Sequence, residues 1–277
     1  MTSAIAAAQF APGADRAANL ADIRALTIEA RDRGAGLVVF PEYSAWFEQE
    51  MGEEWSRQAE PLDGAFPTAL AAIAVETGVT LVAGFLERAG DDIHNTVVAV
   101  GPDGARLATY RKLHLYDAFG GTESDWLTTG TIEAPEVFAW EGFTVGLQTC
   151  YDLRFPEVSR RLVDAGADLL LVPSEWVRGP MKEHHWRTLL TARAIENTAY
   201  VVAADHTPPV GVGQSMILDP AGVEVATVGD VRGLAIAWPD PRRIEEVRTV
   251  NPALRLRRFG VVPLQLGDSD RVGEGTE

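Results

Sequence analysis

Val145-Gly-Leu-Gln-Thr-Cys150-Tyr-Asp-Leu-Arg-Phe-Pro156 joins an apolar run to a proline and places the chain's single cysteine at the join. Residues 143–147 read as a buried strand. Pro156, whose missing N–H costs nothing at a helix start, reads as the first residue of a helix carrying Val158, Leu162 and Val163. A side chain on such a strand-to-helix connection is held at the end of a rigid element. Nearby backbone N–H groups can point into a cleft there and stabilise negative charge. Cys150 is thus a candidate nucleophile; the competing reading is a buried structural residue, because free cysteine is among the most buried residue types.

Outward from that stretch, strands and helices alternate. Residues 4–10 read as a strand, and 18–33 as an amphipathic helix with Leu20, Ile23, Leu26, Ile28 and Ala30 among charges, closed by Gly34. A strand at 36–40, a helix at 68–76 ended by Gly78, and a strand at 79–85 repeat the order. This alternation predicts layered α/β architecture. Two β-rich runs, 95–100 and 105–111, flank the turn Gly101-Pro-Asp-Gly104, and a second pair, 214–218 and 223–228, flanks Asp219-Pro-Ala-Gly222, so hairpins are expected as well. Residues 34–46, GAGLVVFPEYSAW, echo residues 166–176, GADLLLVPSEW: glycine, buried strand, proline. The separation is too long for a solenoid and suggests two similar half-units packed face to face.

The chain has 277 residues, 46% of them hydrophobic and 23% charged, the profile of an ordinary globular protein. Lys and Arg number 24 against 40 Asp and Glu, a formal charge of -16 that opposes attraction to nucleic acid and to anionic membranes. One cysteine excludes an internal disulfide and fits a reducing cytoplasm or a reactive site, between which the count does not choose; a cytoplasmic location is expected. The N-terminus lacks a basic residue before Arg16, unlike a secretory signal, and no apolar run approaches the roughly 18 residues of a membrane span. One domain is expected over 1–251. Residues 252–277, basic at Arg255, Arg257 and Arg258, are expected to form an extension that is partly disordered or packs on a partner subunit.

GLQTCYDLRFPE at 146–157 resembles the nucleophile segment of the nitrilase superfamily, the carbon-nitrogen hydrolases. GLVVFPEYS at 36–44, with Glu42, and YRKLHLYD at 110–117, with Lys112, resemble two further motifs of that family in the expected order, and ARAIENTAYVVAAD at 192–205 resembles its downstream helix and strand. The resemblance implies a four-layer αββα sandwich and a cofactor-free hydrolase with a Glu-Lys-Cys triad. Cys150 would form a thioester, Glu42 would shuttle protons, and Lys112 with the Tyr151 backbone N–H would hold the oxyanion. Glu123, in GGTESDW at 120–126, resembles a second family glutamate that orients substrate or water. The family's habit of pairing through helices implies a homodimer or higher homo-oligomer.

Cys150-Tyr-Asp-Leu-Arg, where nitrilases typically show Cys-Trp-Glu, resembles the amidase branch that holds ω-amidases and deaminated-glutathione amidases. The expected partner is therefore a small-molecule amide, cleaved to a carboxylic acid and ammonia. Arg154 could grip a substrate carboxylate bidentately, or it could pair internally with Asp152 or Glu157. Pro173-Ser-Glu-Trp-Val-Arg-Gly-Pro180 departs from the more familiar Pro-x-Ala-Phe, and Trp176 and Arg178 are expected to line or border the pocket. The alternatives are an N-carbamoyl amidohydrolase or nitrilase with the same triad, and a noncatalytic binding protein on this scaffold. His114 reads as packed or hydrogen-bonded and Glu196 as structural. His184-His185 lacks metal-ligand spacing and Gly211-Val-Gly213 lacks a third glycine, so neither a metal nor a cofactor is expected.

Overall fold

Period-two burial along the strands decides how the layers stack. The computed structural model, which describes residues 3–264, sends alternate side chains of β1 (Ala4–Gln9), β2 (Ala35–Val39) and β3 (Thr80–Ala89) to opposite faces. Ala4, Ala6, Val38 and Leu81 pack with Ile23 and Leu26 of α1 (Arg16–Asp32) and Leu70 of α3 (Ala65–Thr77), whereas α2 (Glu53–Gln58) is one short segment between them. Ile5, Leu37, Val39 and Val82 face the other way, onto Val145 and Leu147 of β7 (Phe143–Leu147), Leu169 and Leu171 of β8 (Leu169–Pro173) and Val202 of β9 (Tyr200–Ala204). The far side of that second sheet buries Leu170, Val172 and Val201 under Leu162 of α4 (Pro156–Asp164) and Trp186 and Leu190 of α5 (Lys182–Asn197). Helix, sheet, sheet and helix make the αββα sandwich.

Each sheet has six strands. With β4 (Asp92–Val100), β5 (Arg106–Arg111) and β12 (Gly233–Ala237), the first runs β12-β1-β2-β3-β4-β5; with β6 (Val137–Trp140), β10 (Met216–Leu218) and β11 (Glu224–Thr227), the second runs β11-β10-β9-β8-β7-β6. Both hold a central parallel trio, β1-β2-β3 and β7-β8-β9, flanked by antiparallel strands. The internal echo has its explanation here: β2 and β8 are the middle strands of the two trios, and each leads to a proline, Pro41 two residues past β2 and Pro173 as the last residue of β8.

Element bounds differ from expectation where local chemistry outweighs periodicity. Helix α1 begins at Arg16 because the Asp15 carboxylate accepts from the N–H groups of Ala17 and Ala18 at 2.9 and 3.1 Å. Strand β3 runs on to Ala89 and forms a full ladder with β4, turned by Gly90 at φ 67°. Beyond β12, helix α6 (Pro241–Val250) is started by Asp240, whose side chain accepts from the Arg242 N–H at 3.0 Å, and by Pro241 at its first position. Residues 252–264 carry no helix or strand, and Arg257 ties them to Asp164 at 2.5 Å. Positions 265–277 of the expected extension lie outside the described residues. Among the described residues no helix is long and apolar enough to cross a membrane.

Candidate active site

Four chain segments end at one cavity of about 560 Å³. Glu42 lies in the turn after β2, Lys112 directly after β5, Glu123 in a short 3-10 turn, and Cys150 at the start of the 3-10 turn that links β7 to α4. Lys112 is fixed by its backbone, its N–H donating to Asn95 O at 2.9 Å and its C=O accepting from Gly130 at 2.8 Å. Cys150 has φ 43°, a left-handed conformation that costs a residue with a Cβ about 1–3 kcal/mol and recurs where geometry serves chemistry. Tyr43, beside Glu42, is similarly left-handed at φ 54°.

The charged groups form one connected network. Lys112 Nζ donates to Glu42 Oε1 at 2.9 Å and to Glu123 Oε2 at 2.8 Å, and all three side chains are almost wholly buried. Asn95 Nδ2 lies 2.6 Å from Glu42 Oε1 and 2.9 Å from Glu123 Oε1, while the Tyr43 hydroxyl donates to Glu123. Glu42 Oε2 accepts from the Glu175 N–H at 2.7 Å, and the Cys150 thiol donates to the Glu175 carbonyl at 3.3 Å. The sequence-predicted Glu42, Lys112, Glu123 and Cys150 therefore share one cavity wall.

Burial acts on each group and its neighbours decide the outcome. It pushes Glu42 above the ordinary carboxylate range, with Lys112 opposing and Glu123 reinforcing the shift. For Glu123 burial acts upward too, but the Lys112 charge and hydrogen bonds from Lys112, Tyr43 and Asn95 outweigh it and hold the group low. Burial acts to discharge Lys112, yet Glu123 and Glu42 keep it well above its usual value. Cys150 is pushed well up by burial and by Glu42, against Lys112. The resting cluster is therefore a thiol, a basic carboxylate, an ammonium and an ionised second carboxylate.

The other sequence candidates are placed less uniformly. Arg178 lines the rim, exposed and 3.8 Å from Glu183. Tyr151, Arg154 and Trp176 do not line the cavity and stand behind Tyr116 and Phe119, which do. Arg154 makes neither expected ion pair: Asp152 is taken by Tyr110, His114 and the Thr149 N–H, and the guanidinium lies 4.8 Å from the Trp176 ring centroid and 5.3 Å from that of Phe119, with Nε unpartnered. Trp176 is a buried anchor whose ring N–H donates to Lys182 O at 3.0 Å. His114 stacks on Phe155 with centroids 3.6 Å apart and bonds Asp152 at 2.7 Å, and Glu196 pairs with Arg193 at 2.9 Å, each as expected of a structural residue. Among the described residues no group of three His, Cys, Asp or Glu side chains could hold a metal ion.

Sequence reasoning passed over Tyr43, Asn95 and Glu175. Asn95 had a signal, one amide inside the apolar run 93–100. Glu175 had another, since it follows the Pro173 end of β8 as Glu42 follows the Pro41 end of β2.

The model of the carbon-nitrogen hydrolase family matches residues 4–249. A deaminated glutathione amidase of Escherichia coli O157:H7 is 38% identical over 92% of this chain and 97% of its own length, and one of Synechocystis sp. is 37% identical over 87% and 93%. Among solved structures, an amidase from Nesterenkonia sp. superposes with a TM-score of 0.74 at 27% identity, covering 92% of this chain and 97% of that one.

Proposed function

The chain belongs to the carbon-nitrogen hydrolase family, and from that premise we propose that it hydrolyses a small amide to a carboxylic acid and ammonia through a thioester on Cys150. The observation that carries this is the Lys112 ammonium bridging Glu42 and Glu123 in the cavity that also holds the cysteine. Glu42 takes the thiol proton as sulfur bonds to the carbonyl carbon, and returns it to the departing nitrogen as the C–N bond breaks. Negative charge that gathers on the carbonyl oxygen meets the Lys112 ammonium, which lines the cavity where Tyr151 does not. Glu42 then deprotonates water, which attacks the thioester and restores the thiol. Glu123, kept ionised, holds Lys112 charged and in place.

The names of the relatives support a substrate with a second carboxylate on its acyl half. Arg154 would meet that group only after Phe119, 70% exposed on the cavity's edge, moves off its guanidinium. A nucleophilic free thiol suits the reducing cytoplasm, and the exposed apolar side chains late in the chain favour a homo-oligomer. Ammonia release from a panel of amides, ureides and nitriles, with intact-mass detection of an acyl adduct on Cys150, tests the assignment. Amides should be turned over and Cys150→Ala should abolish both adduct and ammonia; ammonia release unchanged in that variant would overturn it.

A further inference from the structure

Glu175 touches the chemistry twice through its backbone, donating to Glu42 Oε2 at 2.7 Å and accepting the Cys150 thiol at 3.3 Å. Those two bonds fix its side chain on the wall of the cavity that Lys112, Glu123 and Cys150 share. Of the cations around it, Lys112 is already engaged by Glu42 and Glu123 at 2.9 and 2.8 Å, Lys182 donates to the Tyr116 hydroxyl at 2.8 Å, and Arg178 leans toward Glu183 at 3.8 Å. Among the described residues nothing bonds the Glu175 carboxyl. The segment that carries it departs from the family's more familiar Pro-x-Ala-Phe, so a carboxyl stands where that pattern has a methyl group.

An acid in such a place is one of two things. Ionised, it would grip a cationic substrate; protonated, it offers an O–H donor and a carbonyl acceptor. Burial pushes it well above the usual carboxylate range, and the charges of Glu42 and Asp205 push the same way. A further negative charge beside Glu42 and Glu123, which already share one ammonium, is disfavoured on geometry alone.

We propose that Glu175 reads the acyl half of the substrate, its carboxyl O–H donating to a carbonyl or carboxylate oxygen there, and so determines which amides the cavity favours. Glu175 acquires this role only if the cavity is an amide site. Its backbone can hold the base and the nucleophile whatever side chain is present, which leaves the side chain free to select.

Binding to Cys150→Ala protein, measured by calorimetry, tests the assignment without turnover. The probes are the monoamide of glutaric acid, pentanamide, which has the same chain length without the second carboxylate, and 5-aminopentanamide. The parent should favour the acid-bearing amide over pentanamide. Glu175→Met, of similar length but without a donor, should shrink that ratio about tenfold, the worth of one hydrogen bond to a charged acceptor, whereas Glu175→Gln, still a donor, should stay within about threefold of the parent. Glu175→Ala is a second nondonor should the Met variant fail to fold. An unchanged ratio in the nondonor variants, no preference in the parent, or no measurable binding of the acid-bearing amide overturns the proposal. So does tightest binding of 5-aminopentanamide together with a Gln variant that behaves like Met. Failure of the amidase assignment shows separately, as absent ammonia release by the protein with Cys150 intact.

Discussion

Cys150 is held as a thiol until a base takes its proton, because burial and Glu42 both raise it. The reactive form of the free protein is then neutral Cys150 with ionised Glu42. Glu42 is itself raised by burial, so as pH falls through that elevated value the base is protonated and kcat/KM declines. On the alkaline side Lys112 and Cys150 both titrate above their ordinary values, and the profile should stay level through neutrality and beyond. A pH–rate profile of amide hydrolysis checks both limbs. An acid limb centred at the ordinary glutamate value of about 4.3, or activity that appears only as thiols ionise near about 8.5, would contradict the assignment of base and thiol. Glu42→Gln should lower kcat by about a thousandfold, since a positioned base contributes roughly 10²–10⁴. The Gln oxygen can still accept from Asn95 and Lys112, but its NH2 then replaces the oxygen that accepts from the Glu175 N–H. A stability loss of no more than about 1–3 kcal/mol, that of one unmade buried bond, beside the far larger loss of kcat would separate chemistry from folding.

At the scale of elements, the base is positioned by a strand that never touches substrate. Gly84 on β3 runs directly under the Glu42 turn, and a Cβ there would come within 2.8 Å of both Glu42 Cα and Tyr43 N, backbone atoms that cannot swing aside. Gly84→Ala should therefore displace the turn, destabilise the protein by about 1–3 kcal/mol, as overpacking does, and lower kcat more than it raises KM. Thermal melting and steady-state kinetics measure the two effects, and normal kcat in a folded variant would show that the turn tolerates movement. The strand-helix units from 4 to 100 and the nucleophile turn were legible in the sequence because burial periodicity and Pro156 are local signals. The β3–β4 ladder was underestimated because Glu87, Arg88 and Ala89 look like a polar exit from the strand, whereas Glu87 is buried and bridged to Arg111 at 2.6 Å. The site was legible as motifs, Glu42, Lys112, Glu123 and Cys150, but not as a network. Asn95 and Glu175 join it only because β4 and β8 bring them there, a relation between strands that no single stretch encodes.

For the molecule as a whole, two half-units share one apolar seam, and the groups of the candidate site come from both: Glu42 and Lys112 follow strands of one sheet, Cys150 and Glu175 strands of the other. Val39 and Leu171 are both fully buried in that seam, and Leu171→Ala is expected to cost about 2–5 kcal/mol of stability. The outer surface is less settled. Trp238 is 62% exposed, Val250 88% and Phe259 91%, large apolar side chains facing water late in a chain whose charge of -16 otherwise keeps copies apart. Covering each would contribute about 1.5–3 kcal/mol, enough across a symmetric interface to offset that repulsion at cellular salt, where charges screen over about 8 Å. Light scattering at micromolar concentration should thus find a homodimer or larger, more populated at higher salt. Charge placed at these positions, as in Trp238→Glu or Phe259→Glu, should shift it toward monomer. A monomer at every salt concentration, with Trp238 and Phe259 still in water, would leave those side chains without the partner their exposure calls for.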